Sequence, residues 1–279
     1  MKKLLFIINP MAGRQQAQTD LYKMVKIFAD HDYEVTVYPT RARLDCTRKV
    51  LEDAGRFDLV VCCGGDGTLN EMVSGMMQRQ DRRPMGYIPL GSTNDLAVSL
   101  RLPTRVEEAA LRAVTGNEFH MDVGTLNDRY FNYIAAFGAF TETSYATPQE
   151  IKNALGHLAY ILEGVKSLGK ILPIHVKITA DDEQFEEDYL FGAVTNTISL
   201  GGVLKLDPEK VLLDDGMYEA MLTALMTQNF DGPLVKMFHA SDITFESSHE
   251  ISWTIDGEYG GTFSHTHILN NKNAVTLIV

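Results

Sequence analysis

Three short segments of small, glycine-rich or hydroxyl-bearing residues are the first candidates for chemistry in this sequence. They are residues 9–13 (NPMAG), 64–68 (GGDGT) and 91–95 (GSTND). Glycine lets backbone N–H groups approach an anion closely, and the start of a following helix adds a favourable dipole. One such segment would indicate only a tight turn. Three of them, each before a predicted helix, indicate a phosphate-binding site.

Asp66 adds a carboxylate to the second segment. Because a carboxylate repels phosphate, its presence indicates a divalent cation between the two groups, or a role in positioning the transferred group. The sequence has no G-x4-G-K-[ST] motif, and no G-x-G-x-x-G pattern follows the first predicted strand. A Walker-type nucleotide fold is therefore excluded, and a dinucleotide-dependent dehydrogenase is disfavoured.

Alternating strands and helices are predicted to bring these segments to one edge of a sheet. Apolar runs predict strands at residues 4–8, 59–63 and 85–89, and a further strand is predicted at 34–38. Apolar residues spaced three and four apart predict the helices between them. In such a sheet, ligands bind outside the carboxyl ends of the strands. The sequence thus predicts a doubly wound parallel-sheet nucleotide domain at residues 1–125.

Beyond Asp122 the pattern changes, with one long helical stretch at about 148–170 followed by segments of period two. The predicted strands there are 174–178, 185–195, 218–225, 242–246, 251–255, 262–269 and 274–279. Short strands separated by turn signals favour a mainly antiparallel β-sandwich. We therefore predict a second domain at residues 126–279 that carries one long helix.

Composition narrows the class of protein. The 279 residues carry a formal net charge of −12, which argues against nucleic-acid binding and against simple adhesion to anionic lipid. Three cysteines without ligand spacing predict neither a disulfide framework nor a zinc site. The apolar run at residues 4–8 is too short for a signal peptide, so a cytoplasmic protein is expected.

Six motifs in order resemble the diacylglycerol kinase catalytic domain family over nearly the whole chain. They are NPMAG (9–13), GGDGTLNEM (64–72), IPLGSTNDLAVSLRLP (88–103), MDVGTLN (121–127), LLDDGMYEAML (212–222) and WTIDGEYGG (253–261). NAD kinases and phosphofructokinases share only the GGDG element. The resemblance implies a two-domain kinase of the NAD kinase and diacylglycerol kinase type, with ATP in a cleft that the second domain completes.

The resemblance also implies roles for individual residues. The positions that match nucleotide contacts are Asn9, Pro10, Met11, Ala12, Gly13, Thr40, Gly65, Asp66, Gly67, Thr68, Leu69, Asn70, Glu71 and Ser92. Glu258 matches the proton acceptor. Asp215, with the backbone carbonyls of Leu212 and Met217, matches a Mg²⁺ site. The acidic positions associated with that network are Asp66, Asp95, Asp122 and Asp256.

Two positions depart from the family pattern in the nucleotide loops. Ala12 stands where serine is usual, which removes one hydroxyl from the phosphate loop but keeps its backbone donors. Ser92 stands where threonine is common, and this change keeps the hydroxyl. Neither departure removes a catalytic carboxylate.

The chemistry that these residues predict is phosphoryl transfer to an alcohol. We expect Glu258 to accept the hydroxyl proton, and Asp66, with Mg²⁺, to align the γ-phosphoryl group. Taken alone, the Asp-Gly pair before Glu258 indicates an exposed hairpin turn, and residues 214–216 (DDG) indicate a solvated turn.

The leading hypothesis is an ATP-dependent lipid kinase that phosphorylates diacylglycerol or a related lipid alcohol. One alternative is a kinase of a soluble acceptor such as NAD, and another is a nucleotide-binding regulator that has lost transfer activity. A lipid acceptor requires transient contact with the membrane surface. The resemblance is also compatible with a homodimer.

Overall fold

The structure, a computed structural model, describes residues 1–138, 173–196, 199–200, 204–205, 213–224 and 235–279. The chain divides into two units: unit 1 is Met1–Val123 with Lys272–Val279, and unit 2 is Gly124–Asn271. The predicted second domain at 126–279 therefore loses its last eight residues to unit 1. These residues belong there because Leu277 pairs in parallel with Met85 of unit 1. The predicted helix at about 148–170 lies outside the described residues.

Unit 1 alternates strands and helices. Its elements are β1 (Lys2–Ile8), α1 (Gln16–Thr19), α2 (Leu21–Asp30), β2 (Tyr33–Pro39), α3 (Asp45–Asp53), β3 (Leu59–Gly64), α4 (Asp66–Met77), β4 (Met85–Pro89), α5 (Asp95–Ser99), α6 (Val106–Thr115) and the start of β5 (Glu118–Leu126). Short 3₁₀ turns cover Ala12–Gln15 and Ala54–Arg56.

The strands of unit 1 form a parallel sheet in the order β2-β1-β3-β4. The order reverses at β1, since β2 lies on one side of it and β3 on the other. Leu4, Phe6 and Val61 pack with α2 and α6 on one face of this sheet. Leu5 and Ile7 alternate with them and are equally buried, so the sheet is covered on both faces. The parallel α/β prediction for this part of the chain is confirmed.

Unit 2 is built from antiparallel strands. Its elements are the end of β5, β6 (Arg129–Phe131), β7 (Ile134–Gly138), β8 (Ile174–Ala180), β9 (Glu183–Thr195), β10 (Ser199–Leu200), β11 (Leu204–Lys205), β12 (Tyr218–Ala224), β13 (Val235–Ala240), β14 (Asp242–Ile255) and most of β15 (Glu258–Ile278). The chain passes between the units inside β5 and inside β15.

A hydrogen-bonded path β13-β12-β9-β7-β14-β15 connects most strands of unit 2, and β8 pairs with both β9 and β14. Aromatic side chains fill the core inside this path, where Phe137 and Phe245 both pack against the buried Trp253. The antiparallel β prediction is confirmed, while its division into the two sheets of a sandwich stays a prediction.

Two strand predictions differ from the structure in their extent. Residues 242–246 and 251–255 belong to one strand, β14, and the pairing register with β15 shifts between Glu246 and Ile251. The polar residues 247–250 (SSHE) fall at this irregularity, which is why the sequence pattern is interrupted there. Similarly, the predicted strand at 262–269 and all of the one at 274–279 except Val279 are parts of β15, which ends at Ile278.

Two further observations concern the cysteines and the length of the helices. Cys46, Cys62 and Cys63 are free thiols, all buried and all in unit 1. Within the described ranges, no helix is both long enough and apolar enough to span a bilayer.

Candidate active site

The loop after β1 is a compact turn held by Asn9. The backbone N–H of Asn9 donates to the carbonyl of Cys63 at 2.9 Å, which ties this loop to the end of β3. The side-chain Oδ1 of Asn9 accepts the N–H of Met11 at 3.0 Å, and its carbonyl accepts the N–H of Ala12 at 3.1 Å. Gly13 has φ of 59°, a left-handed conformation that favours glycine. The NPMAG sequence thus folds into a tight turn at the carboxyl edge of the sheet.

The loop after β3 leads directly into α4. Gly65 precedes the helix, and no side chain caps its first turn. The N–H groups of Thr68 and Leu69 turn back onto the carbonyl of Gly65, at 3.0 and 3.1 Å. A helix start without a side-chain cap is a favourable place for an anionic ligand.

The loops after β3 and β4 touch each other through two glycines. The N–H of Leu90 donates to the carbonyl of Gly64 at 2.7 Å. A Cβ atom at Gly91 would lie only 2.8 Å from the Cα atom of Gly65 and 2.6 Å from Oδ1 of Asn94. Real Cβ atoms do not make such short contacts, so the approach of the two backbones requires glycine at position 91.

Asn94 connects the third segment to the second. Its Oδ1 accepts the N–H of Gly91 at 2.8 Å and the hydroxyl of Tyr87 at 3.2 Å. Its backbone N–H donates to Oδ2 of Asp66 at 3.0 Å, and the hydroxyl of Thr93 donates to the same oxygen at 3.3 Å. The sequence indicated Asn94 only as a member of the 91–95 segment, without a role of its own. Its φ of 53° explains the residue type, because asparagine tolerates this conformation better than most residues.

A cavity of about 690 Å³ lies where these loops meet. Its lining residues are Asn9, Met11, Ala12, Gly13, Gly65, Leu90, Gly91 and Ser92. All of them except Leu90 and Gly91 are predicted nucleotide contacts. The cavity has the volume typical of small-molecule sites and follows the carboxyl ends of β1, β3 and β4, where such sites occur in α/β sheets.

Other predicted nucleotide residues hold the loops in place. Both carboxylate oxygens of Glu71 accept backbone N–H groups at the start of α3, from Leu44 at 2.7 Å and Cys46 at 3.1 Å. The N–H of Thr40 donates to the carbonyl of Ile8 at 2.9 Å. Leu69 is in the core. These contacts give the three residues structural roles in the folded chain.

The remaining predicted residues of this set lie near the same edge. The amide of Asn9 donates to the hydroxyl of Thr68 at 3.5 Å. Pro10 offers its carbonyl to the amide of Gln18 at 2.9 Å. Gly67 is exposed in the first turn of α4, and Asn70 accepts the hydroxyl of Ser74 at 3.4 Å. Nucleotide contact by these residues stays a prediction.

Asp66 has a carboxylate whose pKa is shifted by its surroundings. Burial raises its pKa above the usual value, although the hydrogen bonds to Oδ2 act in the opposite direction. Its other oxygen, Oδ1, is buried and has no hydrogen-bond partner. A buried carboxylate oxygen without a partner is costly, and a divalent cation would satisfy it. The residue therefore fits the cation that its sequence context predicts.

Two further acidic residues of unit 1 are deeply buried. Asp95 begins α5 and is 2% exposed, whereas Asp122 on β5 is fully buried. Oδ1 of Asp122 accepts the N–H of Asn273 at 2.7 Å. This bond holds the returning end of the chain in unit 1.

In unit 2, Glu258 follows a tight hairpin turn between β14 and β15. Ile255 pairs with Glu258, and Asp256 and Gly257 between them have φ of 47° and 79°. Both values are positive, as the common two-residue hairpin turn requires. Glu258 itself is exposed.

The carboxylate of Asp256 anchors this hairpin. Oδ2 accepts the N–H of Asn132 at 2.7 Å, and Oδ1 accepts those of Tyr133 at 3.0 Å and Ile134 at 3.2 Å. Asp256 is only 7% exposed. Three backbone donors fix the position of the turn and hence the residue two positions later, Glu258. The sequence placed Asp256 only among the acidic positions of a metal network, and this anchoring role was missed.

The predicted Mg²⁺ site at Asp215 is described only in part. Oδ1 of Asp215 accepts the N–H of Met217 at 2.8 Å, and Gly216 has φ of 85°. Leu212 lies outside the described residues. No cluster of three or more His, Cys, Asp or Glu side chains suited to a metal occurs in the part of the chain that the structure covers. The site stays a prediction.

Known proteins resemble this chain over nearly its whole length. Residues 3–126 match the family described as the diacylglycerol kinase catalytic domain. A diacylglycerol kinase of Bacillus subtilis (strain 168) is 32% identical, over 98% of this chain and 97% of that protein. A diacylglycerol kinase of Staphylococcus carnosus (strain TM300) is 31% identical, over 98% of this chain and 94% of that protein.

Solved structures share the fold over almost the whole chain. One crystal structure from Bacillus anthracis str. Sterne has a TM-score of 0.83 and 27% identity, covering 99% of this chain and 95% of that one. A second, of a diacylglycerol kinase from the same strain, has a TM-score of 0.78 and 24% identity, covering 99% and 96%. The second comparison bears on the fold alone.

Proposed function

The chain belongs to the diacylglycerol kinase catalytic domain family, and from this premise we propose that it transfers the γ-phosphoryl group of ATP to a lipid hydroxyl. Family membership makes the protein a lipid kinase. The proposal adds ATP as the donor and diacylglycerol, or a related lipid alcohol, as the acceptor.

The observation that supports ATP most directly is the meeting of three loops at one cavity. Gly65 and Gly91 are in backbone contact there, and Asn9 ties the first loop to β3. The cavity borders β1, where the strand order reverses, and α/β sheets bind nucleotides at such positions. Phosphoryl transfer depends mainly on positioning and charge stabilisation, which tight loops of this kind provide.

Asp66 and the helix start beside it have complementary roles in this proposal. The start of α4 and the glycine-rich loops bind the phosphate oxygens through backbone N–H groups. Asp66 would hold Mg²⁺ through its unpaired Oδ1, and the bound cation would neutralise charge on the phosphates. Asn94 and Thr93 orient the carboxylate through Oδ2.

Glu258 accepts the proton of the acceptor hydroxyl. Its exposed carboxylate follows a turn that Asp256 fixes through three backbone hydrogen bonds. A fixed position is what a general base needs, because proton transfer requires hydrogen-bond distance from the reacting hydroxyl.

The acceptor determines where the protein works in the cell. Diacylglycerol is dissolved in a bilayer, so the proposal includes a cytoplasmic protein that touches the membrane transiently. With a net charge of −12, whole-molecule attraction to anionic lipid does not drive this contact. The homodimer stays a prediction.

The direct test is incubation with γ-labelled ATP, Mg²⁺ and mixed vesicles that contain candidate lipids, followed by chromatography of the products. A labelled lipid phosphate is the expected result. Labelled NADP formed from added NAD without vesicles would point instead to the soluble-acceptor kinase. Nucleotide binding with no labelled product across the lipid panel would point to the regulator, and either result overturns the proposal.

Replacing Glu258 by glutamine is expected to reduce kcat by about 10²–10⁴-fold. Glutamine preserves the shape of the side chain and removes its basicity. The measurement is the initial rate at saturating ATP and lipid, with nucleotide binding followed separately.

Glu250→Gln is the matched control, because Glu250 is an exposed glutamate of the same unit. It should keep kcat within about twofold, as expected for loss of one exposed surface charge. A Glu258→Gln protein that binds nucleotide and turns over at the wild-type rate would exclude the base role.

A further inference from the structure

A short segment of unit 2, residues 129–134, holds the Glu258 turn from both ends. On one side, Asp256 accepts the N–H groups of Asn132, Tyr133 and Ile134 and returns its own N–H to the carbonyl of Ile134 at 2.9 Å. On the other side, Nη1 of Arg129 donates to the carbonyl of Tyr259 at 2.7 Å. Glu258 lies between these two attachment points.

Arg129 has no acidic partner within the described part of the chain. Its single hydrogen bond is to a backbone carbonyl, and no carboxylate of a described residue lies within 4.0 Å of its guanidinium. Other arginines pair with carboxylates at such distances: Arg48, Arg56, Arg79, Arg83 and Arg105. Arg82 likewise donates only to backbone carbonyls, those of Met77 and Ala274. What distinguishes Arg129 is that its carbonyl partner, Tyr259, directly follows Glu258.

The geometry of a guanidinium explains what such an arginine can bind. It carries five N–H donors in a planar fork, and the bond to Tyr259 uses Nη1. The N–H groups on Nη2 and Nε remain for a ligand with paired oxygens. Phosphate and carboxylate have that arrangement, and arginine is preferred for both. The backbone carbonyl of Tyr259 orients the fork without neutralising its charge.

We propose that Arg129 binds the phosphoryl group while it is transferred to the acceptor, and so acts as a catalytic residue beside Glu258. This inference rests on the proposed function. If Glu258 takes the proton of the acceptor hydroxyl, the phosphorus atom under attack lies one bond beyond that oxygen. A cation attached to the residue that follows Glu258 is then suitably placed to stabilise the charge on the equatorial phosphoryl oxygens.

The step balances without any further reactant. A bond forms between the acceptor oxygen and the γ-phosphorus, and the bond from the γ-phosphorus to the β–γ bridging oxygen breaks. The hydroxyl proton passes to Glu258, and ADP leaves with the electron pair of the broken bond. The lipid phosphate monoester that forms keeps the oxygens to which Arg129 is bound.

Anionic lipid is the other source of phosphate oxygens for this arginine. A headgroup contact would affect binding to the vesicle surface, whereas contact with the transferred group affects turnover at saturation. Attachment to Tyr259, directly after the proposed base, favours the transferred group.

The test compares Arg129→Gln, Arg129→Lys, Arg129→Ala and wild type in mixed micelles at saturating ATP and diacylglycerol. We expect kcat to fall by about 10³-fold in Arg129→Gln, which is the lower end of arginine effects in phosphoryl transfer. In Arg129→Lys, kcat should still be at least about tenfold below that of the wild type, because an ammonium lacks the planar fork of a guanidinium. Added guanidinium should partly restore the kcat of Arg129→Ala, and the restored kcat should saturate with guanidinium concentration. If Arg129 had only a structural role, added guanidinium would not raise kcat.

Lys177→Gln is the control for loss of one positive charge, since Lys177 is a partly exposed residue of the same unit with an acidic partner, Glu246. It should retain kcat within about twofold. Sedimentation with anionic vesicles should be the same for all variants.

Wild-type kcat in Arg129→Gln overturns the inference while the proposed function stands. Normal kcat together with weaker sedimentation assigns Arg129 to the lipid surface and also overturns it. If Arg129→Gln does not fold, Arg129→Lys decides, and wild-type kcat in that variant overturns the inference. Absence of labelled lipid with the wild-type protein is a failure of the proposed function itself.

Discussion

At the scale of single residues, Ala12 is the clearest departure in the nucleotide loop. Its side chain lines the cavity, where the family pattern usually has the hydroxyl of serine. The backbone donors of the loop keep their arrangement without this hydroxyl, because the turn depends on Asn9 and Gly13 and not on residue 12. Loss of the hydroxyl therefore bears on affinity for the nucleotide and not on the shape of the loop.

Ala12→Ser is expected to lower the KM for ATP by about two- to tenfold with little change in kcat, since one added hydrogen bond contributes about 0.5–1.5 kcal/mol. A bond made equally in the ground state and the transition state changes KM alone. Initial rates against ATP concentration measure both parameters. Ala29→Ser, on the exposed side of α2, is the control. An unchanged or higher KM would show that the hydroxyl does not reach the nucleotide.

The residues that the sequence identified and those that it missed differ in where their partners lie. Asp66 lies in a glycine-rich motif, whereas Glu258 was assigned only because residues 253–261 (WTIDGEYGG) resemble a family motif. Both assignments use residues that are close together in the sequence. Arg129 contacts Tyr259, and those positions are 130 residues apart in the chain. Asn94 acts on Asp66 over 28 residues. No local pattern contains such contacts, and only the fold brings them together.

At the scale of elements, the β8–β9 hairpin carries a charge arrangement that responds to pH. Nδ1 of His175 lies 2.8 Å from Oδ1 of Asp188, and Nε2 lies 3.3 Å from Oε1 of Glu186. The hydrogen bond to Asp188 raises the pKa of His175, and Glu186 adds to the effect. A raised pKa in the folded state means that protonated His175 stabilises the hairpin.

His175→Gln should therefore lower the melting temperature at pH 5.5 and have a smaller effect at pH 8.5. The contribution of His175 is fully present below the unfolded pKa of about 6.5 and is lost as pH rises through the higher folded value. Because the pair is exposed, the difference should be small. Thermal unfolding of both proteins across this range measures it.

His249→Gln is the matched control, because His249 is exposed and its Nδ1 lies 2.9 Å from the hydroxyl of Ser248, not from a carboxylate. It shows how much of the change in melting temperature comes from replacing any exposed histidine of this unit by glutamine. A His175→Gln effect that grows as pH rises would mean that the neutral imidazole, and not the protonated one, stabilises the hairpin.

The elements of unit 1 were predictable because local pattern determines them. The side chains of Leu4–Ile8 are buried on both faces of the sheet. A parallel strand that is buried in this way has an unbroken run of apolar residues in its sequence. β14 was less predictable. Residues 247–250 are polar and interrupt the alternation, although the strand continues through a shift of register. Contact between the loops after β3 and β4 also needed the structure, since either glycine alone would indicate an ordinary turn.

At the scale of the whole molecule, net charge affects the proposed contact with a lipid surface. A charge of −12 repels an anionic bilayer, and the repulsion extends over one Debye length. That length shortens from about 30 Å near 10 mM salt to about 8 Å near 150 mM. Productive contact with anionic membranes should therefore become easier as salt increases.

We expect the rate on vesicles containing phosphatidylglycerol to rise when salt is increased from about 10 mM to about 150 mM. The rate on vesicles of phosphatidylcholine alone should change little, and it serves as the control. Initial rates at subsaturating lipid measure the effect. A rate that falls with salt on anionic vesicles would mean that a local basic surface, and not net charge, dominates the encounter.

The extent of the two units could be predicted only in part. The sequence pattern changes from strand–helix alternation to period two near residue 122. This agrees with the structure, in which the first segment of unit 1 ends at Val123. The return of Lys272–Val279 to unit 1 has no local signature. It depends on the pairing of Leu277 with Met85 and on the bond from Asn273 to Asp122, both of which join remote parts of the chain.

Each unit contains a natural reporter of its own unfolding. Unit 1 has the cysteine thiols, and unit 2 has the tryptophan indole. Cys46, Cys62 and Cys63 are inaccessible in unit 1, and the chain's one tryptophan, Trp253, is enclosed in unit 2. A maleimide added during denaturation would label only molecules in which unit 1 has opened, while the emission wavelength of the indole follows unit 2. Unfolding of unit 1 and of unit 2 can therefore be followed separately in the same sample, by cysteine labelling and by tryptophan fluorescence, without introducing a probe.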